Sequence, residues 1–192
     1  GNSILSATRE AMDADNCKEV EIIGWLYQFY ISEKKDAVQA GVKNGKKVQA
    51  NEIPAVTQLF TPHWIVKYMV QNSLGRLWLN SKPSSKLKDK MEFYIEDSNN
   101  QENETGLLKI QNPEEIKFCD PCCGSGHILT YAFDLLYEIY SEEGYAPNAI
   151  PSLIITKNLF GIEIDERAAT LAAFALTMKA REKNTAWFNQ NI

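Results

Sequence analysis

The sequence predicts an α/β domain built on a parallel sheet and preceded by a helical region. The first support is Ile116 to Leu129, an apolar run that breaks at Asp120-Pro121 and at Gly124 and Gly126 before turning helical: a strand, a loop and a helix. Pro121 has no amide for a ladder, so the strand ends there. The second is Asn158-Leu159-Phe160-Gly161-Ile162, which reads as another strand and completes a strand, helix, strand unit. Such crossovers are right-handed and parallel, and ligands lie at the carboxyl ends of the strands, where Asp120 and Glu163 both fall. The third is helical spacing of apolar residues upstream.

Between Cys17 and Ile31, Val20, Ile23, Tyr27 and Tyr30 recur at that spacing, with Trp25, Leu26 and Phe29 widening the face. No arginine interleaves them, so the stripe is read as core rather than as a stacking surface for bases. Lys34 to Lys47 is polar and broken by glycines and is read as a solvated loop. Thr61-Pro62 is expected to open the next helix as a threonine cap followed by proline. Ile65, Val66, Met69, Val70, Leu74, Leu77 and Trp78 then give it one apolar stripe to about Asn80. Residues 1–80 are accordingly expected to be a helical N-terminal region. Residues 81–112 are polar apart from Met91 to Ile95 and are expected to be a mobile insertion.

Residues 113–192 are expected to be the first part of the sheet domain. Asn112-Pro113 caps one turn before the first strand, a helix runs from Gly126 to Tyr140, and Gly144 to Pro147 breaks it. Ile150 to Lys157 forms a short helix or turn. The last helix, Glu166 to Arg181, carries Ala168, Leu171, Ala172, Ala175 and Met178 on one face, small enough to lie close against the sheet. Trp187 and Phe188 stand where a third strand would begin.

Composition narrows the function. The chain has 192 residues, 44% hydrophobic and 23% charged, enough for a real core. A net charge of −5 with no dense basic stretch argues against tight binding of a phosphate backbone by this chain alone. No apolar run would span a bilayer and Gly1 to Asp15 lacks the build of a signal peptide, so the protein is expected to be cytoplasmic, with reduced cysteines. Cys119, Cys122, Cys123 and His127 are soft ligands close in sequence, but strand and helix directions splay them, and structural zinc takes ligand pairs from separate turns. No metal site is expected.

The glycine loop itself selects a ligand class. A dinucleotide fingerprint would place glycine at Leu129, and a P-loop would place lysine after Gly126; neither is present. Asp120 directly before the glycines suits an ammonium or a ribose hydroxyl better than a phosphate. A cationic nucleoside fits.

Asp120-Pro121-Cys122-Cys123-Gly124-Ser125-Gly126 closely resembles the D-P-A-C-G-S-G loop of S-adenosylmethionine (SAM) dependent DNA methyltransferases that modify adenine N6. Phe60-Thr61-Pro62 resembles their upstream F-T-P segment, and Leu159-Phe160-Gly161-Ile162-Glu163-Ile164-Asp165 their second strand, in the family's order. The wider texture, Gly24 to Tyr30 with Ile53 to Gln58 and Ser73 to Trp78, resembles the large adenine methyltransferase of BREX phage-defence systems, alongside type II restriction-modification methylases. The resemblance implies a Rossmann-like SAM-dependent methyltransferase fold with an incomplete sheet. It also implies a SAM site made of Phe60, Thr61, Pro62, Asp120, Pro121, Cys122, Gly124, Gly126, Glu163 and Ile164. In it Thr61 and the helix start face the methionine carboxylate, and Glu163-Ile164 holds the ribose hydroxyls and covers the adenine. Cys122 departs from the family's usual alanine and narrows the cofactor floor.

The Asn/Asp-Pro-Pro-Tyr/Phe loop that such methylation needs is absent, so no catalytic residue is assigned. Asn112-Pro113-Glu114 and Asp120-Pro121-Cys122 share only its first two letters. The chain is therefore expected to be an excised N-terminal piece of a larger enzyme, with double-stranded DNA bound through regions outside it and a restriction or defence-system partner attached. Open alternatives are a non-catalytic SAM-fold interaction module and, less favoured, a small-molecule methyltransferase.

Overall fold

A computed structural model describes residues 22–96 and 108–184, and the chain divides into two compact units, Gly1–Gln58 and Leu59–Ile192. Val20, the middle of the 81–112 segment and Trp187-Phe188 lie outside the described residues, as do the side chains of Ile23 and Trp25. Among the described residues no helix is long and apolar enough to cross a membrane.

In the first unit, α1 (Ile22–Lys43) is followed by a 3-10 turn (Ala50–Glu52) and the short α2 (Ile53–Thr57). Tyr27, Ile31 and Val38 form its buried face, while Leu26, Phe29 and Tyr30 are exposed. At about 100° per residue, Ile31 and Val38 fall on one side of Tyr27 and Tyr30 on the other, so Tyr30 does not belong to the buried stripe as its spacing suggested. Lys34 to Lys43 is helix and not the expected loop: Ala37, Val38, Ala40 and Val42 sustain it, and Gly41 sits inside it. The stop is Gly45, at φ 82°, whose amide bonds Val42 O at 2.9 Å.

The second unit starts with α3 (His63–Val70), one π turn (Gln71–Gly75) and α4 (Arg76–Ser81), which follow one another without a break. Val66, Val70, Leu74 and Trp78, four residues apart, are all buried. On a regular α-helix that spacing drifts about 40° per step, and the wider turn at 71–75 absorbs part of the drift. This helix belongs with the sheet, so the boundary falls after Gln58 and not near Asn80. Its cap is Pro62, whose carbonyl accepts from Ile65 and Val66 amides at 2.9 and 3.2 Å. Thr61 lies one residue outside the helix and is not the cap.

The described parts of the 81–112 segment are packed, contrary to the expected mobile insertion. Leu87, Met91 and Ile110 join the main core. The buried Gln71 carboxamide oxygen accepts from the Phe93 amide at 2.6 Å, and Asn72 bonds both Phe93 O and Ile95 N. Gly75 gives the Met91 thioether room to lie on the helix backbone. A polar average concealed these few well-spaced apolar residues.

After a 3-10 turn at Pro113–Glu115 come β1 (Phe118–Asp120), α5 (His127–Glu142), α6 (Ile150–Leu153), a π turn (Ile154–Asn158), β2 (Leu159–Gly161) and α7 (Glu166–Lys183). β1 and β2 pair in parallel with Phe118 opposite Leu159, Cys119 opposite Phe160 and Asp120 opposite Gly161. The unit is thus α/β in the strand, helix, strand order expected. Buried Asn158 holds the two strand entries together: its amide donates to Pro113 O at 2.8 Å and Ile116 O at 2.9 Å, and its carbonyl accepts from Tyr140. Ile116 is buried, but Cys119 and Phe160 are exposed, so β1 is less buried than its apolar letters suggest.

α7 is held along α5 and its start. Ala172 lies against Gly126, Lys179 bonds Asp134 at 2.7 Å, and Lys183 sits over the Tyr137 ring at 5.4 Å.

Candidate functional site

The glycine loop starts where β1 ends and closes onto the end of β2. Beyond the ladder, the Ile162 amide donates to Asp120 O at 2.9 Å and the Cys123 amide to Ile162 O at 3.0 Å. Gly124 (φ 53°) and Gly126 (φ 90°) both hold the left-handed backbone that favours glycine. Gly126 is the residue from which α5 leaves the loop, and its amide bonds Cys123 O at 2.8 Å. A Cβ built there would lie 2.9 Å from Ala172 Cβ. The bare α-carbon of Gly126 therefore admits α7, a role in helix packing that the expectation of ligand approach did not include.

Glu163 joins the two strand ends. Its Oε2 accepts from the Gly124 amide at 2.7 Å, and its Oε1 from the Ile164 and Asp165 amides at 2.9 and 3.0 Å. Asp165 in turn caps α7 through the Arg167 amide at 3.1 Å. A carboxylate offers about four lone-pair positions, so little acceptor capacity is left for a ligand unless an amide is released. Ile164 is exposed beside it, an apolar side chain with a face to offer a ring.

Asp120 is buried at the C-terminal end of β1. Its Oδ1 accepts from the Cys122 amide at 3.1 Å, while Oδ2 is enclosed with no partner among the described residues. Burial raises its pKa above the ordinary carboxylate value; the Cys122 amide lowers it and the Glu163 charge raises it further. A buried acceptor left open at the strand end is suited to a cationic donor. Asp120 and Pro121 also line a groove of about 590 Å³ between β1 and the α3 to α4 helix, with Tyr68, Met69, Ser73 and Leu77 on the far wall.

The upstream segment reaches the same loop. The half-buried Phe60 meets the His127 ring edge-on, with centroids 3.9 Å apart and planes at 85°, and His63 meets Tyr131 at 6.0 Å. Thr61 is half-buried and Pro62 exposed between them. Pro121 and Cys122 are exposed at the start of the loop. Three segments distant in sequence thus converge on one loop: Phe60 through His127, Asp120 to Gly126 themselves, and Glu163 through Gly124. His127 and Tyr131, one helical turn apart at the start of α5, are contributors the sequence reading missed. The signal available was their spacing of four against the spacing of three between Phe60 and His63.

Among the described residues, no group of three or more His, Cys, Asp or Glu is placed to hold a metal ion. Burial pushes the half-buried Cys123 thiol up to about 11, with Asp120 and Glu163 adding to the shift, so it is protonated and unreactive near neutrality.

A pH dependence follows from Asp120. Its folded pKa is raised, so the folded state binds a proton more readily than the unfolded state. Its contribution favours folding below its unfolded value and is lost as pH rises through its folded value, the reverse of a paired aspartate. Asp120→Asn should therefore lose this component, and the difference in unfolding free energy between variant and wild type should shift in the variant's favour from pH 4 to pH 7. Urea unfolding at a series of pH values measures it; a difference independent of pH would show that Asp120 does not titrate in this way.

The family model described as MmeI, DNA-methyltransferase domain, matches residues 95–191, just over half of the chain. The chain is 53% identical over 186 residues to the adenine-specific methyltransferase BrxX of Escherichia coli O9:H4 (strain HS), and 44% identical over 190 residues to the adenine-specific methyltransferase PglX of Lacticaseibacillus casei (strain Zhang). Each match takes in 94% of this chain but only 15% and 16% of those proteins.

Proposed function

Because the chain belongs to the family of MmeI-type DNA-methyltransferase domains, we propose that it is the SAM-binding portion of a site-specific methyltransferase that transfers a methyl group from SAM to adenine N6 in DNA. The reading takes β1, α5 and β2 as the opening of a Rossmann-like sheet. The observation that carries it is the meeting of the Gly124 amide and the Glu163 carboxylate at the carboxyl ends of both strands, 2.7 Å apart. Asp120 supports it, since its buried Oδ2 accepts a donor from the methionine ammonium and its charge attracts the sulfonium. Glu163 takes a ribose hydroxyl at the acceptor position that its three amides leave open, Ile164 covers the adenine, and Phe60-Thr61-Pro62 brings a helix start to the methionine carboxylate. Pro121, Cys122, Gly124 and Gly126 form the floor.

SAM supplies an electrophilic methyl group; what this chain supplies is its position. The adenine must be flipped from the duplex and held by groups outside these residues, and DNA is likewise gripped elsewhere in a protein of the relatives' length. Such a protein works in the cytoplasm, with a restriction or defence-system partner.

Transfer of a radiolabelled methyl group to unmethylated genomic DNA, read as N6-methyladenine, is the test. The full-length protein should incorporate label and residues 1–192 alone should not. Label incorporated by the short chain would mean that it carries catalytic groups of its own, and none by the full-length protein would end the methyltransferase reading.

A further inference from the structure

We propose that His127 and Tyr131 are positioning residues: their rings hold Phe60 and His63, and so fix Thr61 and the start of α3 over the glycine loop where a ligand's carboxylate is bound. The inference rests on the SAM reading above and extends it to residues that contact no ligand atom.

The geometry is that of a short zipper. Phe60 and His63 flank Thr61-Pro62, and their partners lie one turn apart on α5: His127 at 3.9 Å between centroids, edge-on, and Tyr131 at 6.0 Å with planes at 75°. Edge-to-face contacts of this kind have a preferred orientation, so they fix direction as well as distance. Both anchors are themselves held. His127 is buried, directly follows Gly126, and its Nδ1 is 3.3 Å from the Ser125 hydroxyl of the loop. The Tyr131 hydroxyl accepts from the buried Gln71 amide at 2.6 Å, and Gln71 also takes the Phe93 amide. Pro62, the cap of α3, makes no side-chain cap bond, and Phe60 is followed directly by Thr61, so the ring at Phe60 sets the threonine one residue away along the chain.

One chemical consequence separates positioning from plain stability. If the zipper places only the groups facing the carboxylate, its loss should weaken ligands that carry the amino-acid portion and spare those that lack it. S-adenosylhomocysteine has that portion; 5′-methylthioadenosine has the same nucleoside and sulfur without it. Calorimetry on the full-length protein with both probes is the experiment. His127→Ala should weaken S-adenosylhomocysteine by about tenfold or more while changing 5′-methylthioadenosine by less than about twofold, and His127→Phe, which keeps a ring, should recover most of the loss. Equal weakening of both probes would assign His127 a general structural role and overturn the proposal, as would no weakening of either. If His127→Ala does not fold, Tyr131→Leu removes the second ring contact, to His63, and must show the same split. Failure of the SAM reading looks different: wild type would then bind neither probe.

Discussion

Glu163→Ala should weaken S-adenosylhomocysteine binding by about thirtyfold or more in the full-length protein, a loss on the order of 2 kcal/mol. Two effects add. On the SAM reading the variant loses a charge-assisted hydrogen bond from a ribose hydroxyl to the one acceptor position that the amides leave open, worth roughly 1.5–3 kcal/mol when well formed. It also releases the amides of Gly124, Ile164 and Asp165, which Glu163 gathers at 2.7, 2.9 and 3.0 Å. The second effect has its own readout, because an amide that loses its acceptor exchanges faster with solvent. Hydrogen exchange at Gly124 should therefore accelerate in the absence of any ligand. Glu163→Gln keeps a carbonyl acceptor for an amide but not the charge, and its affinity should fall between the two. Unchanged affinity in Glu163→Ala would remove this residue from the ligand site, whatever the loop then does.

The order of these elements was legible in the sequence because each depends on neighbours along the chain. Pro121 cannot continue a ladder, Gly126 takes a positive φ at little cost, and Leu159 to Gly161 extend as their letters suggest, although Asn158 before them belongs to the π turn. What could not be read were matters decided by residues far away. Met91 and Phe93 look like stray apolar residues in a polar stretch until the π turn at 71–75 presents Gly75 to the first and Gln71 to the second. Thr61 carries the letters of a cap, yet the helix starts after Pro62, whose carbonyl takes the Ile65 and Val66 amides, with Phe60 and His63 on either side meeting rings of α5. The aromatic residues of α1 show the same limit: periodicity alone cannot say which of several overlapping stripes will be buried. For the candidate site, the strand ends and their acidic residues were anticipated. The linking contacts, from Glu163 to a backbone amide and from Phe60 to His127, were not, since neither partner's identity reveals the pairing.

Gly126→Ala should cost about 3 kcal/mol of stability, among the largest effects of any single methyl group in this chain. Two terms contribute. At φ 90° an L-residue is strained before anything else is considered, which accounts for roughly 1–2 kcal/mol. The added Cβ would also lie 2.9 Å from the β-carbon of Ala172 and 3.0 Å from its α-carbon, so α7 must move away from the loop. Backbone cannot yield as a flexible side chain can, and α7 is tied to α5 through the Lys179 to Asp134 pair, so the shift spreads. Ala172→Gly separates the terms. It removes the clash between the two methyl groups but leaves the crowding against the backbone of α7 and the strained φ, so combined with Gly126→Ala it should recover part of the loss and no more. Urea unfolding of the two single variants and the double variant gives the coupling. A double variant no more stable than the sum of the singles predicts would show that Gly126 is required for its backbone conformation alone, and that α7 has room to retreat.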